Sequence, residues 1–394
     1  MRPALDLAIG SAPLAMCERP AAADPVCARV SDAAGAVAGL EREWDALAAA
    51  AAEPNAYAES WFAAASLPAF AAGEVRLIEA RRGRRLIGIL PVTVEEDYGR
   101  TPFRYVQNWR HDHMFLGTPL IRTGEEAAFW TAVLDLLDGA GWAPNLLHVA
   151  ALAEDGPVHR GLVAAAAASG RRCAVVHRTS RALLESGPAP DVFVERHIRP
   201  KKRKEIRRLR SRLAEQGPLA ARRLDAAADL PDWCDSYLRL ERSGWKGRSG
   251  TALTCDPAAE AFFRAAIAGA WHAGRLDFLR LDLGERPIAM LVNFLTPPGG
   301  FAFKTVFDEA FARFSPGVLI QLENLSLLDR GDIAWVDSCA VEGHSMIDSL
   351  WPGRRSIVRV TVQLRGLRRS AVYAACRALE IGARGARALK GKSE

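Results

Sequence analysis

Three short strands in close succession constrain the second half of this chain more than any other feature. The segments 276–283, 288–295 and 301–307 are rich in aliphatic and aromatic residues. Gly284-Glu285-Arg286-Pro287 and Thr296–Gly300 separate them, and both have typical turn compositions. Because connections this short join antiparallel neighbours, the sequence predicts a three-stranded antiparallel meander.

A helix is predicted directly after the meander. Ser315 is a favoured N-cap residue, and Pro316 is favoured at the first helical position. Val318, Leu322 and Leu325 then recur at helical spacing, and Gly331 is expected to end the helix. The segments 333–339, 345–350 and 356–364 predict a strand, a short helix and a last strand.

The first half repeats this order of elements, although no residue-level repeat accompanies it. We predict strands at 75–80, 85–94, 103–107, 145–150 and 173–177, and helices at 125–138 and 161–169. The expected fold class is α/β (α+β), with tandem domains that each hold a mixed, mostly antiparallel sheet flanked by helices.

Length and composition indicate how the chain is divided. Its 394 residues exceed the ~100–200 usual for one domain. We expect a loose tail at 1–24, a first domain at 25–190, a second at 191–366 and a basic C-terminal helix at 367–394. Seven scattered cysteines without Cys-x-x-Cys spacing argue against a disulfide framework and favour a cytoplasmic location.

The net charge of +6 conceals two basic segments. Segment 196–212 holds ten Lys or Arg and one Glu, and segment 365–394 holds eight basic and two acidic residues. The rest of the chain carries a net negative charge. Within the first segment, residues 200–217 predict a helix with a narrow apolar stripe formed by Ile206, Leu209 and Leu213. Positive segments of this kind attract anions such as nucleotide phosphates, nucleic acid or a lipid surface.

Three runs of the second half resemble one protein family. They are ERSGWKGRSGTAL at 241–253, FKTVFDEAFARFSPGVL at 303–319 and VDSCAVEGHSMIDSLWPGRR at 336–355. These runs resemble the CelD-like acetyltransferases linked to cellulose and exopolysaccharide biosynthesis. That family belongs to the GNAT superfamily and is similar to the FemAB and FemX aminoacyltransferases, which carry tandem GNAT-like domains. The resemblance implies an acyltransferase that uses acetyl-CoA or another acyl-CoA.

A GNAT enzyme binds the CoA diphosphate at the start of the helix after the meander, so the resemblance implies a donor site here. Free amides and the helix dipole make such a helix start attractive to anions. The implied cofactor-binding residues are Arg313, Ser315, Gly317 and Val318. An ordinary capped helix is the alternative. The matching helix of the first half begins with two carboxylates, Glu125 and Glu126, which predicts a single CoA site.

Direct acyl transfer requires a base near the acceptor. His344 is the first candidate because its ordinary pKa lies near neutrality, and Asp337 and Asp308 are the others. Strand alternation places Lys304 on the same face as Asp308. Structural alternatives remain open: Asp308 could cap a turn, Asp337 could bind backbone, and His344 could cap the following helix.

Further residues have weaker signals. Lys304, Trp245 and Lys246 are the candidate substrate-binding residues. Cys339 near Asp337 would permit a covalent mechanism, but a lone cysteine at a strand end is more typical of a core. His111 and His113 alternate along a strand without an evident third ligand, so no metal site is predicted.

The sequence therefore favours an acyl-CoA-dependent N- or O-acyltransferase acting on a sugar or amine acceptor in exopolysaccharide or envelope biosynthesis. Two alternatives stand beside it. One is a FemX-like enzyme that draws on aminoacyl-tRNA and uses the basic helix to bind it. The other is a non-catalytic scaffold of a polysaccharide synthase complex. We expect no DNA partner, and only weak contact of the C-terminal helix with a membrane surface.

Overall fold

Both halves of the chain contribute strands to one continuous sheet. The structure is a computed structural model that describes residues 24–71 and 73–390, so the predicted tail lies almost entirely outside the described residues. The strands are β1 (Val26–Asp32), β2 (Arg76–Arg82), β3 (Arg85–Glu95), β4 (Tyr105–Asn108), β5 (Leu120–Ile121), β6 (Leu146–Ala153), β7 (Cys173–Glu185), β8 (Leu219–Arg223), β9 (Leu276–Leu283), β10 (Arg286–Thr296), β11 (Gly299–Phe307), β12 (Trp335–Asp337) and β13 (Gly353–Gln363).

Helices cover both faces of this sheet. They are α1 (Ala33–Ala48), α2 (Ser60–Phe70), α3 (Glu126–Gly139), α4 (Pro157–Ala168), α5 (Pro190–His197), α6 (Pro200–Ala214), α7 (Leu230–Ser243), α8 (Trp245–Arg248), α9 (Pro257–His272), α10 (Pro316–Glu323), α11 (Ser345–Asp348) and α12 (Leu367–Lys390). Short 3₁₀ segments at 309–314 and 324–329 flank α10. The predicted class, a mixed and largely antiparallel sheet flanked by helices, is confirmed.

The two halves have the same strand arrangement. In the first half β1 to β4 pair antiparallel in sequence order, and β4 then pairs parallel with β6. In the second half β8 to β11 pair antiparallel, and β11 pairs parallel with β12. The predicted meander is therefore confirmed, and β10 is almost wholly buried, as its continuous apolar run indicates.

The centre of the sheet is built from strands that the halves exchange. The order is β1-β2-β3-β4-β6-β13-β7-β12-β11-β10-β9-β8, and β5 pairs with β3 beside this path. The last strand of the second half, β13, pairs with β6 of the first half, and β7 of the first half pairs with β12 of the second. The strands β7 and β13 pair with each other between them. This exchange joins the halves through backbone hydrogen bonds as well as side-chain packing.

Three large apolar clusters and one small one pack against the sheet in the described residues. One lies under α3 and α4 of the first half, and another lies under α5, α6 and α10 of the second. The third lies between the halves and combines α1 and α2 with α7, α9 and the aromatic residues of β10 and β11. Residues from both halves therefore meet along one face of β11.

The two basic helices are only partly packed. In α6, Ile206 and Leu213 are buried and most other side chains are exposed, which confirms the narrow stripe predicted for it. Helix α12 packs through Tyr373 and Cys376 against Leu146 of the first half. Within the described residues, no helix is both long and apolar enough to cross a membrane.

The predicted helix after the meander requires correction. It begins at Pro316 as expected, but the α-helix ends at Glu323 and continues as a 3₁₀ segment instead of reaching Gly331. Ser315 does not cap it, because this residue has a left-handed backbone with φ of 54° and its side chain makes no capping hydrogen bond. Strands β1 and β8 were not predicted, nor were the helices α1, α2, α7 and α9 that pack between the halves.

Candidate functional site

The candidate site lies where β11 and β12 diverge. These parallel strands pair only between Gly299–Phe301 and Trp335–Asp337. Beyond Phe301, β11 continues to Phe307 with β10 on one side, and no described strand pairs with its other side. The divergence leaves backbone N–H and C=O groups along 302–307 available to a ligand.

A β-bulge in β11 orients the side chains at this point. Lys304 lies opposite Val292 and Ala302 lies opposite Asn293, so Phe303 is an extra residue in the ladder. A bulge of this kind re-aims the following side chains. With simple alternation, Phe303 and Lys304 would point to opposite faces of the sheet. Here Lys304 contacts His113 of the first half, and Phe303 contacts the nearby Phe115.

Lys304 and His113 form the chemical centre of the site. The Lys304 Nζ lies 3.3 Å from the His113 Nδ1. Burial lowers the pKa of Lys304 to about 8, and the positive charge of Lys246 contributes to the decrease. Burial and the neighbouring Lys304 lower the pKa of His113 to about 4, so this imidazole is neutral and can accept a hydrogen bond from the lysine.

Aromatic residues from both halves hold His113 in place. Its ring stacks on Phe262 of α9, with centroids 5.5 Å apart and an angle of 8° between the planes. Phe70 of α2 contacts the same ring edge-on at 5.5 Å. His111 stacks on Phe70 at 4.4 Å, and burial lowers its pKa to about 3. No cluster of three or more potential metal ligands occurs among the described residues.

Glu241 positions a loop near Lys304. This carboxylate is buried, and its Oε1 lies 2.8 Å from the Nζ of Lys246. Its Oε2 accepts a hydrogen bond of 2.8 Å from the backbone N–H of Leu253, which anchors the α8 loop. Trp245 stands at the rim with 59 % of its surface exposed. Of the predicted substrate-binding residues, Lys246 is near enough to Lys304 for its charge to lower the pKa of Lys304, and Trp245 precedes Lys246 on α8.

The start of α10 provides fewer free amides than expected. The Ser315 carbonyl accepts hydrogen bonds from the N–H groups of Val318 (2.9 Å) and Leu319 (3.1 Å). The Val318 amide is therefore occupied, which corrects its assignment as a phosphate donor. Gly317 lies against Phe307 and Met346, whose nearest atoms would be 3.4 Å from an added Cβ.

Other features of this turn fit an anionic group. Arg313 is exposed, with its guanidinium 4.7 Å from the Phe314 ring centroid. The Ser315 hydroxyl makes no capping hydrogen bond, and the Gly317 N–H makes no described hydrogen bond to the backbone. Helix α6 packs beside the 3₁₀ segment 309–314 and α10, so its positive charge lies near the same turn. The exposed Arg313 and the positive charge of α6 thus fit a diphosphate, whereas Gly317 is buried, so charge would contribute more than backbone donors.

Asp337 proves to be a structural anion. It is fully buried and pairs with Arg181 of β7 at 2.6 Å and with Arg355 of β13 at 3.1 Å. Burial alone would raise its pKa, but Arg181 and then Arg355 lower it. The expectation that Asp337 orients His344 requires correction, because no hydrogen bond links these two described residues and both oxygens of Asp337 are already occupied.

His344 and Asp308 also have structural partners. His344 is exposed, and its Nδ1 accepts from the backbone N–H of Ile347 at 3.5 Å to cap α11. Asp308 accepts from the N–H of Ala310 at 3.0 Å and pairs with Arg286. These are the structural alternatives that the sequence left open, and neither side chain points to the Lys304–His113 pair through a described contact.

Cys339 is unsuited to nucleophilic attack. Its Sγ lies 3.2 Å from the hydroxyl of Tyr57, which belongs to the first half. Burial and the adjacent Asp337 raise the pKa of this thiol to about 12, so the thiolate is scarce near neutral pH. Tyr57 and Cys339 instead join the two halves close to the end of β12.

Sequence reasoning missed His113 and Glu241 as members of this site. His113 belongs to a His-x-His pattern, but the pattern suggested only a weak metal motif. Glu241 stands five residues before Lys246 in a run already noted for its family resemblance. No local signal indicated that either side chain would lie near Lys304.

The strand order and the diverging parallel pair of the second half recur in the first half. Residues 200–345 match a family model described as "Acetyltransferase (GNAT) domain", so this part of the chain is similar to such a domain. No curated protein matches the sequence.

Solved structures resemble the chain over most of its length. The crystal structure of FemX is similar with a TM-score of 0.55 and 9 % identity, covering 85 % of this chain and 98 % of FemX. The C-terminal domain (DUF2156) of a putative lysylphosphatidylglycerol synthetase from Agrobacterium fabrum has a TM-score of 0.52 and 12 % identity, covering 87 % and 97 %. At these identities the similarity shows the fold alone.

Proposed function

We propose that this protein transfers an acyl group from an acyl-CoA to an amine or hydroxyl acceptor at the Lys304–His113 pair. The observation that carries this proposal is a lysine with a pKa of about 8, held against a neutral histidine where β11 leaves β12. A base is most effective when its pKa lies near the working pH, and burial commonly lowers the pKa of a lysine to that range.

Arg313, Ser315 and the Gly317 amide would hold the diphosphate of the donor. The free edge of β11 at 302–307 would bind the amide-bearing arm, because unpaired backbone groups suit such a chain. The bound acyl-CoA supplies an activated thioester carbonyl. The proposed proton transfer does not use Asp337, His344 or Asp308, whose side chains each have a structural partner.

Lys304 in its neutral form would accept the proton of the amine or hydroxyl as that group bonds to the acyl carbon and the C–S bond breaks, and the resulting ammonium would return the proton to the leaving thiolate. His113 holds the Nζ in position and receives a hydrogen bond once the ammonium forms. Lys246, fixed by Glu241, keeps positive charge close to Lys304 and favours its neutral form. Trp245 and Lys246 would border the acceptor.

We further propose a sugar or amino sugar of exopolysaccharide or envelope assembly as the acceptor, and a cytoplasmic setting. The resemblance to CelD-like acetyltransferases supports the acceptor class. The free cysteines of the described residues are consistent with a reducing compartment.

Calorimetry with acetyl-CoA tests the donor. We expect Arg313→Ala to weaken acetyl-CoA binding by about 10- to 100-fold, since one charge-assisted contact contributes roughly 1.5–3 kcal/mol. The matched control is Arg330→Ala, which removes another exposed arginine whose partner is Asp332. If wild type does not bind acetyl-CoA, or if the two variants bind it equally well, the proposed donor site is wrong.

A second candidate, transfer from aminoacyl-tRNA, is favoured by α6. Lys201, Lys204, Arg207 and Arg212 are exposed, and none pairs with a described carboxylate. Reversal of Lys204, Arg207 and Arg212 to Glu should abolish tRNA retention on filters at low salt, because phosphate contacts depend on such charges. If wild type does not bind tRNA, or if tRNA binding survives this charge reversal, transfer from aminoacyl-tRNA is wrong. Thioester turnover in wild type would exclude a pure scaffold.

A further inference from the structure

The first half has a diverging strand pair of its own, and an arginine occupies the position that matches the lysine of the candidate site. The parallel pairing of β4 with β6 ends at Gln107 and His148. Arg110 follows three residues after this last pair, as Lys304 follows three residues after Phe301, the last paired residue of β11. A guanidinium remains protonated at neutral pH, so Arg110 cannot act as a base there, but it can bind an anion.

Arg110 lacks a counter-charge although it is half-buried. Its Nη2 donates to the carbonyl of Met114 at 2.8 Å, and its Nε is sealed from solvent without a described partner. Burial, followed by the charges of Arg359 and Arg181, lowers its pKa to about 10, and the exposed Asp112 has a smaller, opposite effect. Removing a cation from water without a counter-charge is costly, so an anion supplied from solution would be favourable.

Arg359 of β13 brings a second positive charge to the same place. Val358, Val360 and Val362 all face the core under α3 and α4, so Arg359 projects from the other face of the sheet. It is exposed, and its charge acts on Arg110. Neither guanidinium forms an ion pair with a carboxylate of the described residues. This part of the sheet face therefore carries two uncompensated positive charges.

His148 is a buried polar side chain near both arginines. Only 6 % of it is exposed, and Tyr98 and Tyr105 contact its ring edge-on, each with a centroid distance of 5.7 Å. Neither ring nitrogen makes a described hydrogen bond, and of the two only Nδ1 is sealed from solvent. Burial and then the charges of Arg359 and Arg110 lower its pKa to about 3, so the ring is neutral. Its open Nε2 can donate one hydrogen bond in the matching tautomer.

These groups favour an oxyanion that carries two charges. Guanidinium groups match the oxygens of phosphate and carboxylate in bidentate geometry. A phosphate dianion would balance both arginines, whereas a carboxylate would balance one. Phosphate also offers a further oxygen for the imidazole N–H.

From this arrangement we infer that the first half binds a phosphate group, free or as a phosphate ester, on the sheet face formed by β4, β6 and β13. Arg110 and Arg359 bind its oxygens, and His148 donates to it from Nε2. This site is separate from the turn at Arg313, and it does not depend on the proposed acyl transfer.

Titration calorimetry of the full chain at low salt tests the inference with inorganic phosphate, glucose 1-phosphate and glucose. We expect both phosphate compounds to bind and glucose not to bind. Equal affinities for the two would support recognition of the phosphate group alone, and tighter binding of the ester would support an added contact with its sugar. Arg110→Gln and Arg359→Gln should each weaken binding about 10- to 100-fold, because each removes a charge-assisted contact.

Two control variants locate the binding. Arg178→Gln changes another exposed arginine of the neighbouring strand β7, but its side chain pairs with Glu154, so this variant should bind phosphate as wild type does. Arg313→Ala should also leave this binding unchanged. Because Arg359 is exposed, its variant keeps the test decisive even if Arg110→Gln fails to fold.

Four results would overturn the inference. They are failure of wild type to bind either phosphate compound, binding of glucose as tight as that of glucose 1-phosphate, wild-type affinity in the folded Arg110→Gln and Arg359→Gln variants, and loss of the binding in Arg313→Ala.

Discussion

Replacement of Asp337 by Asn separates a structural from a catalytic role for this residue. The wild-type carboxylate is fully buried and compensates two guanidinium groups, those of Arg181 and Arg355. These side chains come from β12, β7 and β13, the three strands that the exchange brings together at the centre of the sheet. The Asp337→Asn variant would retain an acceptor for the Cys339 amide but would leave both cations without a counter-charge.

The expected loss of stability follows from this burial. Only 9 % of the Arg181 side chain and 14 % of the Arg355 side chain are exposed, so water cannot compensate for the lost carboxylate. Removing one member of a buried ion pair costs about 3–5 kcal/mol. At roughly 2–4 °C per kcal/mol for a large domain, Asp337→Asn should lower the Tm by about 6–20 °C.

Asp332→Asn is the matched control for this measurement. Its carboxylate pairs with Arg330 at 2.7 Å, but both side chains are nearly half exposed, at 47 % and 46 %. Exposed pairs contribute under about 1 kcal/mol, so the Tm of this variant should fall by less than ~4 °C. Both changes replace Asp by Asn beside arginine, and they differ chiefly in burial.

The assay is thermal unfolding followed by circular dichroism between pH 4 and pH 8. The pKa of Asp337 is lowered in the folded state, so its contribution is present above its unfolded pKa near ~3.9 and is lost as the pH falls through the folded value. The gap between wild type and Asp337→Asn should therefore be constant from pH 8 to about pH 5. A Tm within a few degrees of the Asp332→Asn variant would refute the structural role. Lost turnover at unchanged Tm would restore Asp337 as a catalytic candidate.

Three further predictions concern the Lys304 site and its surroundings. The rate of transfer to a hydroxyl acceptor should rise about tenfold from pH 7 to pH 9 as Lys304 loses its proton. Lys304→Arg should lower kcat at least about 100-fold and should show no such rise. A rate that falls above pH 8 would contradict the role of Lys304 as the base. Glu241→Gln should release Lys246, raise the KM for the acceptor severalfold and lower the Tm by a few degrees. Steady-state kinetics and thermal unfolding measure the two effects. An unchanged KM would argue against a contact between Lys246 and the acceptor. Cys339→Ser should retain turnover within about threefold, whereas a loss near 10⁴-fold would indicate a covalent thiol.

Much of the local structure was determined by the sequence alone. Turn residues between short apolar runs defined β9, β10 and β11, and Pro316 marked the start of α10. The spacing of Ile206 and Leu213 defined the single buried stripe of α6. These features depend on interactions between residues a few positions apart, where periodicity and turn chemistry act directly.

The candidate site was decided by the tertiary structure. His113 and Lys304 are 191 residues apart, and they meet because α2 and α9 present Phe70 and Phe262 to the same ring. The depressed pKa of Lys304 and the full burial of Asp337 both arise from packing between halves. A histidine or an aspartate at a strand end has the same local sequence whether it faces water or another half of the molecule. The chemistry of such a side chain depends on desolvation and on charges brought from distant segments. Here both come from the exchange of β7 and β13 and from the core that the two halves share.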